Sequence, residues 1–452
     1  MSSTSEHTVN DVPPPQSVET EVLFSRNFSD KSNAVSRAIY LKKLIGGCFF
    51  IVIAIFTVFS IYWGALWKSP VRNIQGWVID FDGGVVGQSV VQSLTTSSRF
   101  SKVTWTAVPA SQFQGGLAQV ANDVVEQKSW VAVAIHEGTS SRLQASYINP
   151  NATYNGTDAM TVYASEARNE NAYRSLIRPS VQTSLAAISQ SYATQAVGQI
   201  INSPNLQALL RTSPQTVVAP ISYTIDNLRP FDQPVASAVT FVGLIYVLIL
   251  SFFVVMIGYS AREAAGLNRH LTLRSLIITR FVSSFVAYFV VSLFYSLLTL
   301  AFQLDFTRKF GHGGFVIFWM LNWVGMLSVG LALEALITVL TPSFIPFFMI
   351  LWIIVNVSVC ILPIEVLPSI YRYGYAVPFY NVSHAVRCIV FATRNTLGEN
   401  FAILIVWTVI SCFTLPLLQW FVRSRAVIAE TQRMNNETSE ISVDGKLARR
   451  GV

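Results

Sequence analysis

The sequence predicts a polytopic α-helical membrane protein with six transmembrane helices and an α/β extracytoplasmic domain between the first and second helices. Of its 452 residues, 52% are hydrophobic and only 12% charged, and a soluble chain carries about twice that charge. Six apolar runs are long enough to span a bilayer, and one long middle segment has ordinary composition. This composition excludes disordered, collagenous and nucleic-acid-binding chains, so no nucleic acid partner is expected.

The first predicted membrane helix covers residues 44–66 and directly follows Lys42 and Lys43. At about 1.5 Å per residue it spans about 30 Å of hydrocarbon, and it exceeds the apolar region of about 7 to 15 residues in a signal peptide. It is therefore predicted to be a membrane anchor. Five further spans are predicted in the C-terminal half, at residues 235–257, 281–302, 315–340, 344–362 and 401–421.

Basic residues beside the short loops set the predicted orientation. They concentrate in both tails and in the loop between the second and third spans, which predicts that both termini are cytoplasmic. The segment at residues 67–234 is then extracytoplasmic. Its sequons Asn151-Ala-Thr and Asn155-Gly-Thr lie in a stretch typical of a surface loop, so Asn151 and Asn155 are predicted glycosylation sites.

The two cytoplasmic tails, residues 1–43 and 422–452, lie outside the predicted domains. Residues 1–33 and 423–452 are polar, Ser-rich and low in apolar residues, and three consecutive prolines at 13–15 oppose a helix in the first tail. Both tails are predicted to be disordered.

The middle segment is predicted to be one folded α/β domain. Short β-branched runs at residues 73–82, 102–108 and 130–135 are typical of strands, and the stretches between them have helical spacing. A long helical pattern follows at 171–201 and a last strand at 217–225.

The strand that begins this domain ends in Asp80-Phe81-Asp82-Gly83. The pattern is similar, locally, to the nucleophile strand of haloacid-dehalogenase-type phosphotransferases. That chemistry also requires a Lys and a later acidic pair for Mg²⁺, and no such pair follows. The alternative is that both carboxylates cap a turn before a helix.

No enzymatic motif accompanies the membrane spans. The sequence contains no GxxxxGK[ST] phosphate loop, GxSxG, HExxH or CxxC pattern, and its four cysteines have neither disulfide-framework nor metal-site spacing. We therefore expect no enzyme activity, catalytic residue, metal or cofactor.

Glu334 is the one carboxylate within the predicted spans, about 9 Å from the cytoplasmic end of the fourth. An ionisable group inside a membrane is by default a functional candidate for a proton or a substrate. The alternative is that Glu334 pairs with Arg280 at the start of the third span, or that its side chain reaches the interface.

Residues 363–400 form an aromatic, Pro-punctuated stretch that is too polar to span and too apolar for a free loop. It is predicted to be an interfacial helical hairpin. The tyrosines are predicted at headgroup level and the arginines on lipid phosphates, and a simple aromatic belt is the alternative. The residues concerned are Tyr371, Tyr373, Tyr375, Tyr380, Arg372, Arg387 and Arg394. The sequon at Asn381 is expected to carry no glycan.

Three stretches resemble a fungal family of multispanning membrane proteins named for nitrosoguanidine resistance. They are IYWGALWKSPVRNIQGWVIDFDGG (61–84), LFYSLLTLAFQLDFTRKFGHGGFVIFWMLNWVGML (293–327) and YRYGYAVPFYNVSHAVRCIVFATRNTLGENF (371–401). The likeness covers residues 39–421. The family's membrane half, here residues 235–421, is also similar to ABC-2-type permeases. The resemblance implies a plasma-membrane or endomembrane protein connected with drug and mutagen tolerance, and the plasma membrane is the first expectation.

Two functional hypotheses follow. The first is a permease that exports xenobiotics or lipids without its own ATPase. The second is a non-transporting scaffold or a regulator of phospholipid asymmetry. The predicted partners are membrane lipids, an ATPase subunit in trans that would meet the basic loop at 259–277, and further copies of the chain.

Overall fold

The computed structural model describes residues 27–96 and 101–450, with side chains described as far as residue 435. The chain divides into two compact units, Met1–Phe56 and Thr57–Val452. The second unit contains a sheet domain and a set of long apolar helices.

The N-terminal apolar helix begins ahead of the predicted span. It consists of α1 (Ala34–Ala54), a π turn (Ile55–Phe59) and α2 (Ser60–Leu66). The prediction of disorder is therefore wrong for residues 34–43, where Ala, Arg, Leu and Lys favour extension of the helix and no proline or glycine opposes it. Residues 27–33 are also described and end in a 3₁₀ helix (Lys31–Asn33), whereas residues 1–26 lie outside the described residues.

The sheet domain contains five strands: β1 (Ile74–Asp80), β2 (Val103–Pro109), β3 (Val131–Ile135), β4 (Met160–Ala164) and β5 (Tyr223–Asn227). They lie in the order β2-β1-β3-β4-β5. β1 pairs in parallel with β2 and β3, β4 pairs antiparallel with β3, and β5 pairs parallel with β4. The first three strands match the sequence prediction closely, whereas β4 was not predicted.

Helices cover both faces of this sheet. They are α3 (Val85–Thr96), α4 (Gly116–Val125), α5 (Thr139–Ile148), α6 (Glu170–Ala172), α7 (Arg178–Ile200), α8 (Leu206–Thr212) and α9 (Pro214–Val218). Because successive strand residues point to opposite faces, Val78 packs with α3, α5 and α7 while Ile79 packs with α4. The domain is thus an α/β layer structure with two apolar cores.

The C-terminal half contains α10 (Gly243–Ala264), α11 (Leu267–His270), α12 (Leu273–Ala301), α13 (Thr307–Phe310), α14 (Gly313–Val357), α15 (Pro378–Phe391) and α16 (Leu397–Arg450). Within the described residues, five helices are long and apolar enough to cross a membrane: Lys31–Leu66, Ala238–Ala264, Leu273–Ala301, Gly313–Val357 and Leu397–Asn435. The predicted spans 315–340 and 344–362 both fall largely within α14.

Helix α14 bends at Thr341, whose φ of 62° and ψ of 163° are not helical. Arg308, shortly before α14, forms an ion pair with Asp232, which follows β5. Beyond the other end of α14, the carbonyl of Ile361 accepts a hydrogen bond from Asn169 of the sheet domain. Both ends of α14 therefore lie on the sheet-domain side, and the bend at Thr341 lies at the opposite end of the bundle, called here the distal end.

The last helix, α16, continues to Arg450. The prediction of disorder after residue 422 is therefore wrong for residues 423–450. This segment has no proline and one glycine, and its Ala, Glu, Gln, Arg and Met residues favour propagation of the helix out of the apolar span.

Candidate functional site

A buried ion cluster joins three helices near the distal end. Glu334 of α14 is only 1% exposed. Its Oε1 accepts hydrogen bonds from Nε of Arg280 on α12, at 2.7 Å, and from Nη2 of Arg262 on α10, at 2.8 Å. The structure thus pairs Glu334 with Arg280, as the alternative in the sequence analysis predicted, and adds a second buried arginine, Arg262.

Arg280 makes further contacts that hold this cluster in place. Its Nη1 donates to Oγ1 of Thr338 at 2.9 Å and to Oε1 of Gln419 on α16, and its Nη2 donates to the carbonyl of Glu334. A buried ion pair is stable only when the remaining donors are also satisfied, and every nitrogen of this guanidinium group has an acceptor. Arg280 therefore connects α12, α14 and α16.

Arg262 was missed because the second span was predicted to end at residue 257. Helix α10 continues to Ala264, which places Arg262 on the helix and turns it toward α14. The sequence contained a usable signal, since residues 259–265 include neither proline nor glycine, and Gly258 alone does not end a helix.

A cavity of about 270 Å³ opens beside this cluster at the distal end. We call it the distal cavity. Its lining residues are Tyr259, Arg262, Glu263, Asn268, Arg280, Ile337, Thr338, Thr341, Gln419, Val422, Arg423 and Ala426. Helices α10, α11, α12, α14 and α16 all contribute to its wall, so the cavity lies among the membrane helices, and three arginines line it.

The predicted interfacial hairpin at 363–400 is wrong in its placement. Most of α15 is buried, and Val382 packs against Gly325 of α14. The carbonyl of Ala376 accepts a hydrogen bond from Trp407, which lies about 15 Å along α16 from its start. The segment therefore enters the bundle as a 3₁₀ turn and a short helix, whose internal hydrogen bonds satisfy backbone groups as such burial requires.

Arg387 does not face lipid phosphates, so that prediction is wrong for this residue. It is 4% exposed, and its Nη1 donates to Glu170 of the sheet domain at 2.5 Å and to the carbonyl of Ala167 at 3.0 Å. Burial acts to raise the pKa of Glu170, but the charge and hydrogen bond of Arg387 outweigh it, and the pKa lies below its ordinary value. The pair fastens α15 to the sheet domain.

The other predicted residues of this segment are dispersed. Arg372, Arg394 and Tyr375 are exposed. Tyr371 is buried and donates to the carbonyl of Ile61 at 2.7 Å, while Tyr373 donates to the carbonyl of Val355 at 3.0 Å. The structure therefore does not bring these tyrosines and arginines together as one lipid-facing cluster.

A second cavity, of about 40 Å³, lies where α15 meets the sheet domain. Arg168 lies in its wall with its guanidinium carbon 3.4 Å from the ring centroid of Trp130, and burial lowers the pKa of Arg168 to about 10. Burial, with Arg387 and Arg168 nearby, lowers the pKa of His384 to about 3, so its imidazole is neutral at physiological pH. The volume suits a few water molecules.

Asp80 and Asp82 organise a turn. Oδ1 of Asp80 accepts the backbone N–H groups of Asp82 and Gly83, both at 2.9 Å. Asp82 accepts the backbone N–H of Ser140 at 2.9 Å and its hydroxyl, which fixes the start of α5. No group of three or more His, Cys, Asp and Glu side chains that could hold a metal occurs among the described residues.

The two predicted glycosylation sites lie on the surface of the sheet domain. Asn151 and Asn155 are exposed. Asn381 is 2% exposed, and its side-chain amide donates to the carbonyls of Tyr375 and Val377. Glycosylation of Asn151 and Asn155 stays a prediction, and the geometry leaves no room for a sugar on Asn381.

The fold and the buried ion cluster define an integral membrane protein with several apolar helices and one α/β domain. The chain belongs to the family described as Protein of unknown function (DUF3533), which matches residues 47–413. It is also 27% identical, over 90% of its length and 85% of the relative's, to an uncharacterized endoplasmic reticulum membrane protein of Saccharomyces cerevisiae. No solved structure matches this chain.

Proposed function

We propose that this protein is a permease-like membrane protein that moves lipids or xenobiotics across the bilayer without an ATPase of its own. The observation that carries the proposal is the ion cluster of Glu334, Arg280 and Arg262 beside the distal cavity. Charges inside a membrane bundle are costly, and they typically mark substrate or ion pathways. The resemblance to the nitrosoguanidine-resistance family supports the xenobiotic branch.

The proposed topology has six crossings, with α14 crossing twice about its bend at Thr341. Both termini and the distal cavity would then be cytoplasmic, and the sheet domain would lie on the opposite side of the membrane. The relative's name supports the endoplasmic reticulum as the location in place of the plasma membrane. An ATPase acting in trans would meet the loop that contains α11.

The function is tested by reconstituting the full-length chain in sealed vesicles and measuring the flux of fluorescent lipids and of a cationic dye, with and without ATP. We expect flux above that of protein-free vesicles. Arg262→Gln should reduce it at least about tenfold, whereas Arg274→Gln should not, because Arg274 is exposed on α12. The double change Asp80→Asn with Asp82→Asn should also leave flux intact, since these carboxylates only hold a turn.

The alternative is a scaffold or regulator of phospholipid asymmetry. The fastening of the sheet domain to α15 through Arg387 and Glu170 favours it, because a rigid junction suits a fixed assembly better than a moving one. A folded chain that gives no flux with either substrate, with or without ATP, would reject the permease and leave this alternative.

A further inference from the structure

We infer that the distal cavity binds the phosphate group of a phospholipid whose headgroup carries one net negative charge. This inference names the ligand of the cavity on which the proposed function rests. Its first support is charge. Arg262, Arg280 and Arg423 line the cavity, and the carboxylates among them are Glu263 and, behind the wall, Glu334. Three positive charges against two negative ones leave a single positive charge for a ligand to balance.

The second support is the distribution of free donors. Arg280 uses all its nitrogens on Glu334, Thr338 and Gln419, and is therefore a structural residue. Nη1 of Arg423 is enclosed and has no hydrogen-bond partner among the residues that the structure describes. Arg262 donates from Nη2 to Glu334, and within the described part of the chain its Nη1 and Nε have no hydrogen-bond partner. Phosphate oxygens are the acceptors that best suit such charge-assisted donors.

The third support is the surroundings of the cavity. Its volume is about 270 Å³, and a cavity of about 150 Å³ already accommodates a benzene-sized molecule. Leu417 and Trp420 on α16 precede Arg423 and are 62% and 58% exposed. A ligand with its phosphate among the arginines could therefore extend acyl chains along an apolar helix surface. Basic pockets between membrane helices are a known way of holding lipid headgroups.

The test uses the full-length chain in detergent micelles. Binding is measured by native mass spectrometry and by the shift of the thermal unfolding midpoint. The probes are short-chain phosphatidylglycerol, which is monoanionic, short-chain phosphatidylcholine, which is neutral overall, and inorganic phosphate. The variant is Arg423→Gln. Its matched control is Arg425→Gln, because Arg425 is exposed on the same helix and stacks on Phe421 outside the cavity.

We expect phosphatidylglycerol to bind wild type and Arg425→Gln equally, at least about tenfold tighter than phosphatidylcholine, and to bind Arg423→Gln about tenfold more weakly. Binding of inorganic phosphate that also depends on Arg423 and equals that of phosphatidylglycerol would support the phosphate site and assign it to a soluble ligand. Equal binding of phosphatidylglycerol to Arg423→Gln and wild type would overturn the inference. So would a wild-type protein that binds neither phosphatidylglycerol nor inorganic phosphate.

The same preparations separate this inference from the transport proposal. If the chain binds phosphatidylglycerol through Arg423 but gives no flux in vesicles, the binding site is supported and the permease proposal is rejected. A chain that gives lipid flux in vesicles, and whose Arg423→Gln variant binds phosphatidylglycerol as tightly as wild type, supports the permease and rejects the site.

Discussion

At the scale of single residues, Glu334 is the centre of the distal cluster because Arg280 and Arg262, both buried, form ion pairs with it. Glu334→Gln should destabilise the folded chain by about 3 to 5 kcal/mol, since it strands both guanidinium groups. Arg280→Gln should cost less, because Arg262 still pairs with Glu334. The double change should cost less than the sum of the two single changes.

The measurement is the thermal unfolding midpoint of purified protein in detergent, followed by size exclusion. Arg274→Gln is the control, because Arg274 is an exposed arginine on the same helix as Arg280. Additive effects of Glu334→Gln and Arg280→Gln would show that the two side chains are not coupled. A fully stable Glu334→Gln protein would show that the charge is not needed for folding.

Glycosylation is a second prediction at this scale. In a eukaryotic host, glycosidase treatment should increase the gel mobility of the wild-type protein. Asn151→Gln with Asn155→Gln should remove the whole shift, because these side chains are exposed and Asn381 is buried with its amide engaged. A residual shift in the double variant that is lost only with Asn381→Gln would show that residues near Asn381 reach the glycosylating compartment unfolded.

The sequence showed part of the distal site. Glu334 could be identified because a lone carboxylate in an apolar run is conspicuous, and Arg280 because it begins the neighbouring span. Arg262 and Gln419 could not be identified in the same way. Their roles depend on which helix faces meet at the distal end, and that is decided by packing among α10, α14 and α16 rather than by local pattern.

At the scale of elements, α15 depends on the ion pair between Arg387 and Glu170. Glu170→Gln or Arg387→Gln should increase hydrogen exchange and proteolysis in residues 378–391, because each leaves one buried charge without its partner. Arg372→Gln is the control, as Arg372 is exposed on the same segment. Equal protection of α15 in all three variants would contradict the fastening role.

This ion pair also gives the protection of α15 a pH dependence. The pKa of Glu170 in the folded protein lies below its ordinary value of about 4.3. The pair therefore stabilises fully above about pH 4.3 and loses its contribution as the pH falls through the lower, folded-state pKa. Hydrogen exchange of α15 should rise in acid for the wild type and change much less with pH for Glu170→Gln.

Strands β1 to β3 could be predicted because each is a short β-branched run between turn residues, and the period of two is a local property. Strand β4 was missed because its five residues form a strand by pairing with β3. A helix and a loop separate the two strands in the sequence, so this pairing is not a local property. The placement of α15 failed for a similar reason. Its mixture of aromatic and polar residues suits an interface equally well until Glu170 of another domain supplies a partner for Arg387.

At the scale of the whole molecule, the number of membrane crossings depends on α14. If it turns back at Thr341, Ser343 and His270 lie on the same side of the membrane and Asn149 on the other. Single cysteines at these exposed positions can be labelled with a membrane-impermeant maleimide in sealed microsomes. We expect Ser343→Cys and His270→Cys to react at once and Asn149→Cys only after permeabilisation.

The unmodified chain is the control, because Cys360 and Cys388 are buried and Cys48 and Cys412 lie in apolar helices. A continuous α14 would instead place Ser343 within the bilayer or beyond its opposite face, and Ile361 would lie far from Asn169. Labelling of Ser343→Cys only after permeabilisation, with His270→Cys labelled at once, would therefore contradict the double crossing. It would also place the two termini on opposite sides of the membrane.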